Sequence, residues 1–316
     1  AAALALILIG CTVSNLVFTQ KSDEITIAIV PKAINNSVFL DCKVGAEAKA
    51  AEYGVKIEYI GSNTADSGAQ VTVVEGLIEK GVDGILISCC DADALQDVIN
   101  RAVDAGIVVG TFDSDSPNSK RSFYCGTNSY AVGKLAAEKL LEMMPEGGKA
   151  AVLTGVLGAP NLEERVLGFK ETLEGTNIDV VSVQACNDDV QTAVDCVTQY
   201  ITANPDLDAW FFVGGWVYFA DPEAMPEVKT FMENGGHIIS IDTCEPMLKF
   251  VGLGMVDLLI GQNYEEMGRY GVETIYNLIH GVDTYLGDEN NYVDTGYELV
   301  DESNYEDVWA TKTPWN

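Results

Sequence analysis

Apolar stretches of strand length recur along this chain, at Ile25–Val30, Gly84–Ser88, Ile107–Phe112 and Phe123–Thr127. A second series follows at Ala150–Gly155, Val180–Ala185, Ala209–Gly214, His237–Asp242 and Leu258–Asn263. Between them lie amphipathic stretches of helical period, such as Ala131–Met144 and Val190–Asn204. Near-continuous apolar strands separated by helices predict parallel sheets covered on both faces. Two successive series predict two doubly wound α/β domains. No low-complexity linker separates them, so they are expected to be closely joined.

A weak internal repeat sharpens the picture. Ala105–Ser114 (AGIVVGTFDS) matches Asn234–Thr243 (NGGHIISIDT): a helix end with Gly, a buried strand, then Asp-Ser or Asp-Thr. Upstream, Val82–Ile87 (VDGILI) echoes Leu207–Phe212 (LDAWFF). Ligands of open parallel sheets bind beyond the carboxyl ends of the strands. If the two domains face each other, Asp113 and Asp242 approach a shared cleft from opposite walls. The plainer alternative is that each aspartate caps the helix that follows.

At 316 residues the chain is long enough for two domains with real cores. Its 48 Asp and Glu against 18 Lys and Arg give a net charge of −30, which argues against a nucleic-acid or membrane-surface binder. Only His237 and His280 are present, which excludes a His-rich metal site. Of the eight cysteines, Cys42, Cys89 and Cys125 lie in apolar periodic segments and read as small buried hydrophobes. Cys186 and Cys196 are left open as a bridged pair. No Cys-x-x-Cys occurs, and the adjacent Cys89-Cys90 suits neither a zinc ribbon nor a redox motif.

The apolar start Ala1–Gly10 covers about half of the ~20 residues a spanning helix needs and reads as the end of a secretory signal. It leads into Leu8-Ile9-Gly10-Cys11, which resembles a bacterial lipoprotein cleavage box. A buried strand ending in Cys is the alternative. On the lipoprotein reading Cys11 carries the lipid, Thr12–Asp23 is a tether, and the protein is anchored without spanning.

Across residues 24–300 the chain resembles the type I sugar-binding proteins of bacterial ABC importers, the ribose- and galactose-binding group. The motifs that carry the likeness are Ile27–Lys32 with Asn35–Phe39, Gly81–Ser88, Thr111–Ser116, Gly126–Asn128, Glu164–Phe169, Ile241-Asp242, and Gly261-Gln262 before Gly268–Ile275. Each is weak alone, but their order and spacing are specific. The resemblance implies two flavodoxin-like domains joined by a three-segment hinge, with a ligand cleft between them. The chain would cross near Thr127-Asn128, Gln262-Asn263 and Tyr292-Val293. One lobe then holds 24–127 plus 263–292, including the helix Glu265–His280, and the other holds 128–262 plus 293–316.

Carried over by position, the resemblance implies Asn36, Asp113, Arg165, Asp242 and Gln262 as partners of sugar hydroxyls, Lys32 as a further polar ligand group, and Phe39 as a stacking wall. The chemistry suits these roles. Carboxylates, amides and guanidinium groups hold adjacent hydroxyls, while aromatic rings cover C–H faces. Two departures stand out. Gly214-Gly215-Trp216 replaces the usual Asn or Asp, so Trp216 is expected as a second stacking face, exposed until a ligand covers it, with packing as core the alternative. Val38 replaces an aromatic of ribose-type members.

Val30–Lys32 and Asp113–Tyr124 also look like the autoinducer-2 and rhamnose-binding branch, with Arg165 discordant. The expected ligand is therefore a monosaccharide or polyol, with autoinducer-2 as the alternative. The expected partners are the membrane subunits of an importer and, by the same ligand chemistry, a sensory receptor. A glycosidase built on Asp113 and Asp242 is a remote reading, because no Glu stands at a matching strand end. A transcription regulator of this fold would need a basic helix-turn-helix where the apolar signal stands. No catalytic residue, metal or cofactor is expected, and the protein is expected to be an extracytoplasmic, lipid-anchored monomer of the cell envelope.

Overall fold

A computed structural model describes residues 24–312, so the signal segment and Cys11 lie outside the described residues. The chain first forms β1 (Thr26–Val30), α1 (Phe39–Tyr53), β2 (Lys56–Tyr59), α2 (Ser67–Lys80), β3 (Gly84–Ile87), α3 (Ala92–Asp104), β4 (Val108–Phe112) and β5 (Phe123–Gly126). It continues with α4 (Ser129–Met143), β6 (Gly148–Thr154), α5 (Pro160–Leu173), β7 (Ile178–Ala185) and α6 (Val190–Ala203). Then come β8 (Ala209–Phe212), α7 (Pro226–Glu233), β9 (His237–Ile241), α8 (Glu245–Gly252) and β10 (Leu258–Gln262). The last elements are α9 (Tyr264–Ile279), β11 (Tyr292–Asp294), β12 (Tyr297–Val300) and α10 (Tyr305–Thr311).

Two six-stranded sheets result, ordered β2-β1-β3-β4-β5-β11 and β7-β6-β8-β9-β10-β12. The first five strands of each repeat the 2-1-3-4-5 order of the flavodoxin-like fold. The first sheet is parallel throughout. In the second, β12 runs antiparallel to β10. Central runs such as GILI in β3 and AWFF in β8 are wholly buried, as strands covered on both faces must be.

Thr127-Asn128 leads out of β5, and Asn263 leads from β10 into α9. The third passage differs from expectation. Tyr292 and Val293 pair with Tyr124 and Cys125 in the first sheet, so the crossing falls at Thr295-Gly296. Gly296 has φ 73°, a left-handed turn that glycine makes without a Cβ clash. The first and third passages are tied together: Thr295 N donates to Gly126 O and Thr127 Oγ1 to Gly296 O, both at 3.0 Å.

Each lobe packs one close helix pair, α1 with α9 and α4 with α5. Glycines set the spacing. A Cβ at Gly45 or Gly268 would stand 1.9 Å from Glu265 O or 2.1 Å from Cys42 O. In the other lobe, one at Gly133 or Gly168 would stand 2.1 Å from Arg165 O or 2.3 Å from Tyr130 O. All seven cysteines among the described residues are free thiols, so Cys186 and Cys196 are not bridged here. No described helix is long and apolar enough to cross a membrane.

Candidate functional site

Asp113 and Asp242 follow β4 and β9, and both take left-handed backbone angles, φ 57° and 82°. Their amides donate to the neighbouring strand, Asp113 N to Cys125 O (3.1 Å) and Asp242 N to Ile260 O (2.9 Å). Neither caps a helix. A loop follows Asp113, and Cys244 occupies the cap position of α8. Left-handed non-glycine residues cost on the order of 1–3 kcal/mol, less for Asp and Asn, and cluster at functional sites. Tyr124 steadies the first of the pair, its hydroxyl donating to Asp113 O at 3.0 Å.

The two carboxylates are joined through a buried polar network. Asp113 Oδ1 accepts from Asn161 Nδ2 (2.9 Å) and Tyr264 OH (3.1 Å), and Oδ2 accepts from Ser88 Oγ (2.7 Å). Lys32 Nζ donates to Asn161 Oδ1 (2.7 Å) and lies 3.7 Å from Asp113 Oδ2. Asp242 Oδ1 accepts from Gln262 Nε2 (2.8 Å), and Oδ2 from Gly215 N (3.2 Å). Arg165 donates to Gln262 Oε1 (2.6 Å) and Val213 O (2.8 Å) and stands 3.9 Å from Asp113. Its Nε is buried and has no acceptor among the described residues. Lys32, Ser88 and Asp113 come from the first lobe, and Asn161, Arg165, Asp242 and Gln262 from the second.

Of the expected site residues, Lys32, Asp113, Arg165, Asp242 and Gln262 are therefore brought together, each no more than 6% exposed. Phe39 borders them, with its ring edge-on to Phe112 (5.9 Å) and to Tyr264 (5.8 Å). Asn36 stands apart. It is half-buried, and its side-chain oxygen accepts from Val38 N (3.4 Å) in a local turn before α1. Trp216 is buried, 5% exposed. It begins a short 3₁₀ turn and fills space that Gly155 and Gly214 leave: a Cβ there would meet the ring at 2.6 and 2.7 Å.

Ser88, Asn161 and Tyr264 are network members that sequence reasoning missed. Asp188 is a further strand-end aspartate, with φ 57° after β7, and its Oδ1 accepts from Val156 N (3.0 Å).

Burial pushes the Asp242 carboxyl up, only partly offset by Arg165 and by the bonds from Gln262 and Gly215. Burial likewise raises Asp188, with Lys32 opposing. Such groups are acceptors whose charge is costly to bury and which gain from every added donor. The arrangement can therefore hold a small molecule rich in adjacent hydroxyl groups. Among the described residues no group of three His, Cys, Asp or Glu is placed to hold a metal ion.

The family model for the periplasmic binding protein domain matches residues 27–283. The chain is 27% identical to the D-ribose/D-allose-binding protein of Pseudomonas aeruginosa, covering 90% of this chain and 91% of that one. It is 26% identical to the ribose import binding protein of Bacillus subtilis, over 82% and 83% of the two chains. An ABC transporter solute-binding protein from Burkholderia graminis, solved with D-arabinose, superimposes with a TM-score of 0.80. That protein is 31% identical, with 90% of this chain and 98% of that chain covered.

Proposed function

The chain belongs to the periplasmic binding protein domain family, and from that premise we propose that it is an extracytoplasmic solute receptor. It takes up a monosaccharide or polyol between its lobes and delivers it to the membrane subunits of an ABC importer. The observation that carries this reading is the network at the strand ends, in which the two repeat aspartates, Arg165 and Lys32 come from both lobes. A sugar placed there exchanges side-chain partners for hydroxyls, and Arg165 Nε supplies one more donor. Neither lobe alone carries the full set, so the ligand favours the arrangement in which both walls reach it, and that preference drives closure. Hinge closure around a ligand is also the general behaviour of periplasmic binding proteins. Anchoring through Cys11 belongs to the same reading, and Cys11→Ser should move full-length protein out of the detergent phase.

A thermal-shift panel of pentoses, hexoses, deoxysugars, polyols and autoinducer-2 tests the ligand class. A true ligand at a hundred times its dissociation constant should stabilise the protein by about 2.7 kcal/mol. No shift with any of them would sink the reading. A shift with autoinducer-2 alone would move the role from sugar uptake to a sugar-derived signal.

A further inference from the structure

The first two hinge passages share a pattern but not their side chains. Both read Gly-x-Asn before a helix, Gly126-Thr127-Asn128 and Gly261-Gln262-Asn263. Both asparagines cap, Asn128 Oδ1 accepting from Ala131 N (3.0 Å) and Asn263 Oδ1 from Glu266 N (3.3 Å). The close-packing glycines Gly133 and Gly268 stand at the same distance beyond them. Ser129 and Tyr264 are thus equivalent first residues of α4 and α9. Ser129 Oγ is buried and makes no hydrogen bond among the described residues. Tyr264 Oη joins the two walls of the cleft.

The direction of its bonds is fixed. Arg165 donates to Gln262 Oε1, which turns the amide nitrogen toward Asp242 and toward Tyr264 Oη, 2.9 Å away. The flipped amide would set its NH₂ against the guanidinium and its oxygen against a carboxylate. Tyr264 accepts from Gln262 and therefore donates to Asp113 Oδ1. Burial and the charges of Asp113 and Asp242 push the phenol well above its ordinary range, with Arg165 opposing, so the proton needed for that donation stays in place.

We propose that Tyr264 is a positioning residue that couples the orientation of Asp113 to the angle of the second hinge passage. The inference rests on the sugar-binding reading of the cleft. Gln262 ends a strand of the second sheet, Asp113 stands on the first, and Tyr264 starts the helix that returns the chain to the first lobe. Its hydroxyl keeps both bonds only while the lobes hold their present relation. A sugar that fixes Asp113 in this orientation thereby favours the closed relation through Tyr264 as well as through its own contacts.

The test titrates D-ribose, D-arabinose, D-allose and D-xylose by calorimetry into wild type, Tyr264→Phe, Ser129→Ala and Asp242→Ala. Small-angle scattering then follows the radius of gyration at saturation with whichever of the four binds wild type most tightly. Tyr264→Phe keeps the ring on Phe39 and loses only the hydroxyl. It should bind about 10- to 100-fold more weakly and, even when saturated, contract less than wild type. Ser129→Ala should bind within about twofold of wild type, since no bond is lost. Wild-type affinity in Tyr264→Phe, or weaker binding with the full contraction, would overturn the coupling. If Asp242→Ala also binds normally, the sugar-binding reading falls with it; if none of the four sugars binds wild type, the coupling stated for them falls and the wider panel decides the sugar-binding reading. Lost binding in Asp242→Ala beside unchanged Tyr264→Phe would remove the coupling alone.

Discussion

The two lobes share one strand order and one glycine-spaced helix pair, yet they differ in the chemistry those frames carry. Gly45 in α1 and Gly168 in α5 meet equivalent backbone on their partner helices, so Val38 corresponds to Asn161 and Cys42 to Arg165. The first lobe has a buried apolar pair where the second has a carboxamide and a guanidinium. The first compensates with aromatic rings, Phe39, Phe112 and Tyr264, packed edge to face beside Asp113. A duplicated frame thus fixes where strand ends and helix starts stand, and a few substitutions give each wall its own character. On the proposed reading, a sugar in an open cleft finds Arg165, Asp242 and the Asn161 and Gln262 amides on the second lobe, and the first adds an aromatic wall, one carboxylate and the Lys32 ammonium.

The largest expected effect follows directly. Arg165→Ala and Asp242→Ala in the second lobe should each weaken sugar binding by about 2–5 kcal/mol, because buried partners are left unpaired. Phe39→Leu in the first lobe should cost about 0.5–1.5 kcal/mol, the aromatic share of its contact. Calorimetric dissociation constants decide the matter, and equal losses at Phe39 and Arg165 would erase the asymmetry.

The shared frame is tested next. Gly133→Ala and Gly268→Ala each press a methyl group against a carbonyl oxygen, of Arg165 and of Cys42 respectively. Both should lose about 1–3 kcal/mol of stability in denaturant titrations, as overpacked sites do. Only Gly133→Ala displaces the backbone of Arg165, so it should weaken binding more than Gly268→Ala, which presses on the helix pair that carries Phe39 and Tyr264. Reduced affinity in Gly268→Ala of the same size would mean that the lobes do not divide the work in this way.

The smallest effect is a pH dependence. Asp242 is raised mainly by burial, so on acidification it takes up a proton above the ordinary aspartate value of about 3.9. Protonation removes the charge that strengthens bonds from ligand hydroxyls, so affinity should fall with pH from that raised value downward. Stability without sugar moves the other way. A raised folded value means that this contribution is present at low pH and lost as pH rises through it. Dissociation constants measured from neutral to mildly acidic pH should show the fall in wild type, and a fall of the same size in Asp242→Asn would assign it to another group.

The central strands were legible because GILI, AWFF and their neighbours are apolar on both faces. Both edges of the first sheet were not: β2, with the sequence KIEY, and β11, with YVD, are short, mixed in polarity and half-buried, so they carry no clear period. The strand-end aspartates were legible because the repeat preserves them. Asn161 and Tyr264 were not, because they lie where the copies diverge, opposite Val38 and Ser129. Aligning the two Gly-x-Asn passages would have exposed Tyr264 as the larger member of its pair. At Trp216 the two neighbouring glycines signal a close approach but not which group approaches: the indole fills the space at Gly214, and Met247 fills that at Gly215.

The three passages between the lobes also decide the order in which the molecule can be built. Strands β6 to β10 form one uninterrupted stretch, so the body of the second lobe can assemble as soon as it is synthesised. The first lobe cannot. The face of α1 around Gly45 waits for α9, and the edge at β5 waits for β11, both made only after β6 to β10. Such distant pairings slow folding and leave apolar surface exposed meanwhile. The acidic excess then acts on the unfinished chain, where mutual repulsion keeps half-built molecules from associating before their last segments arrive.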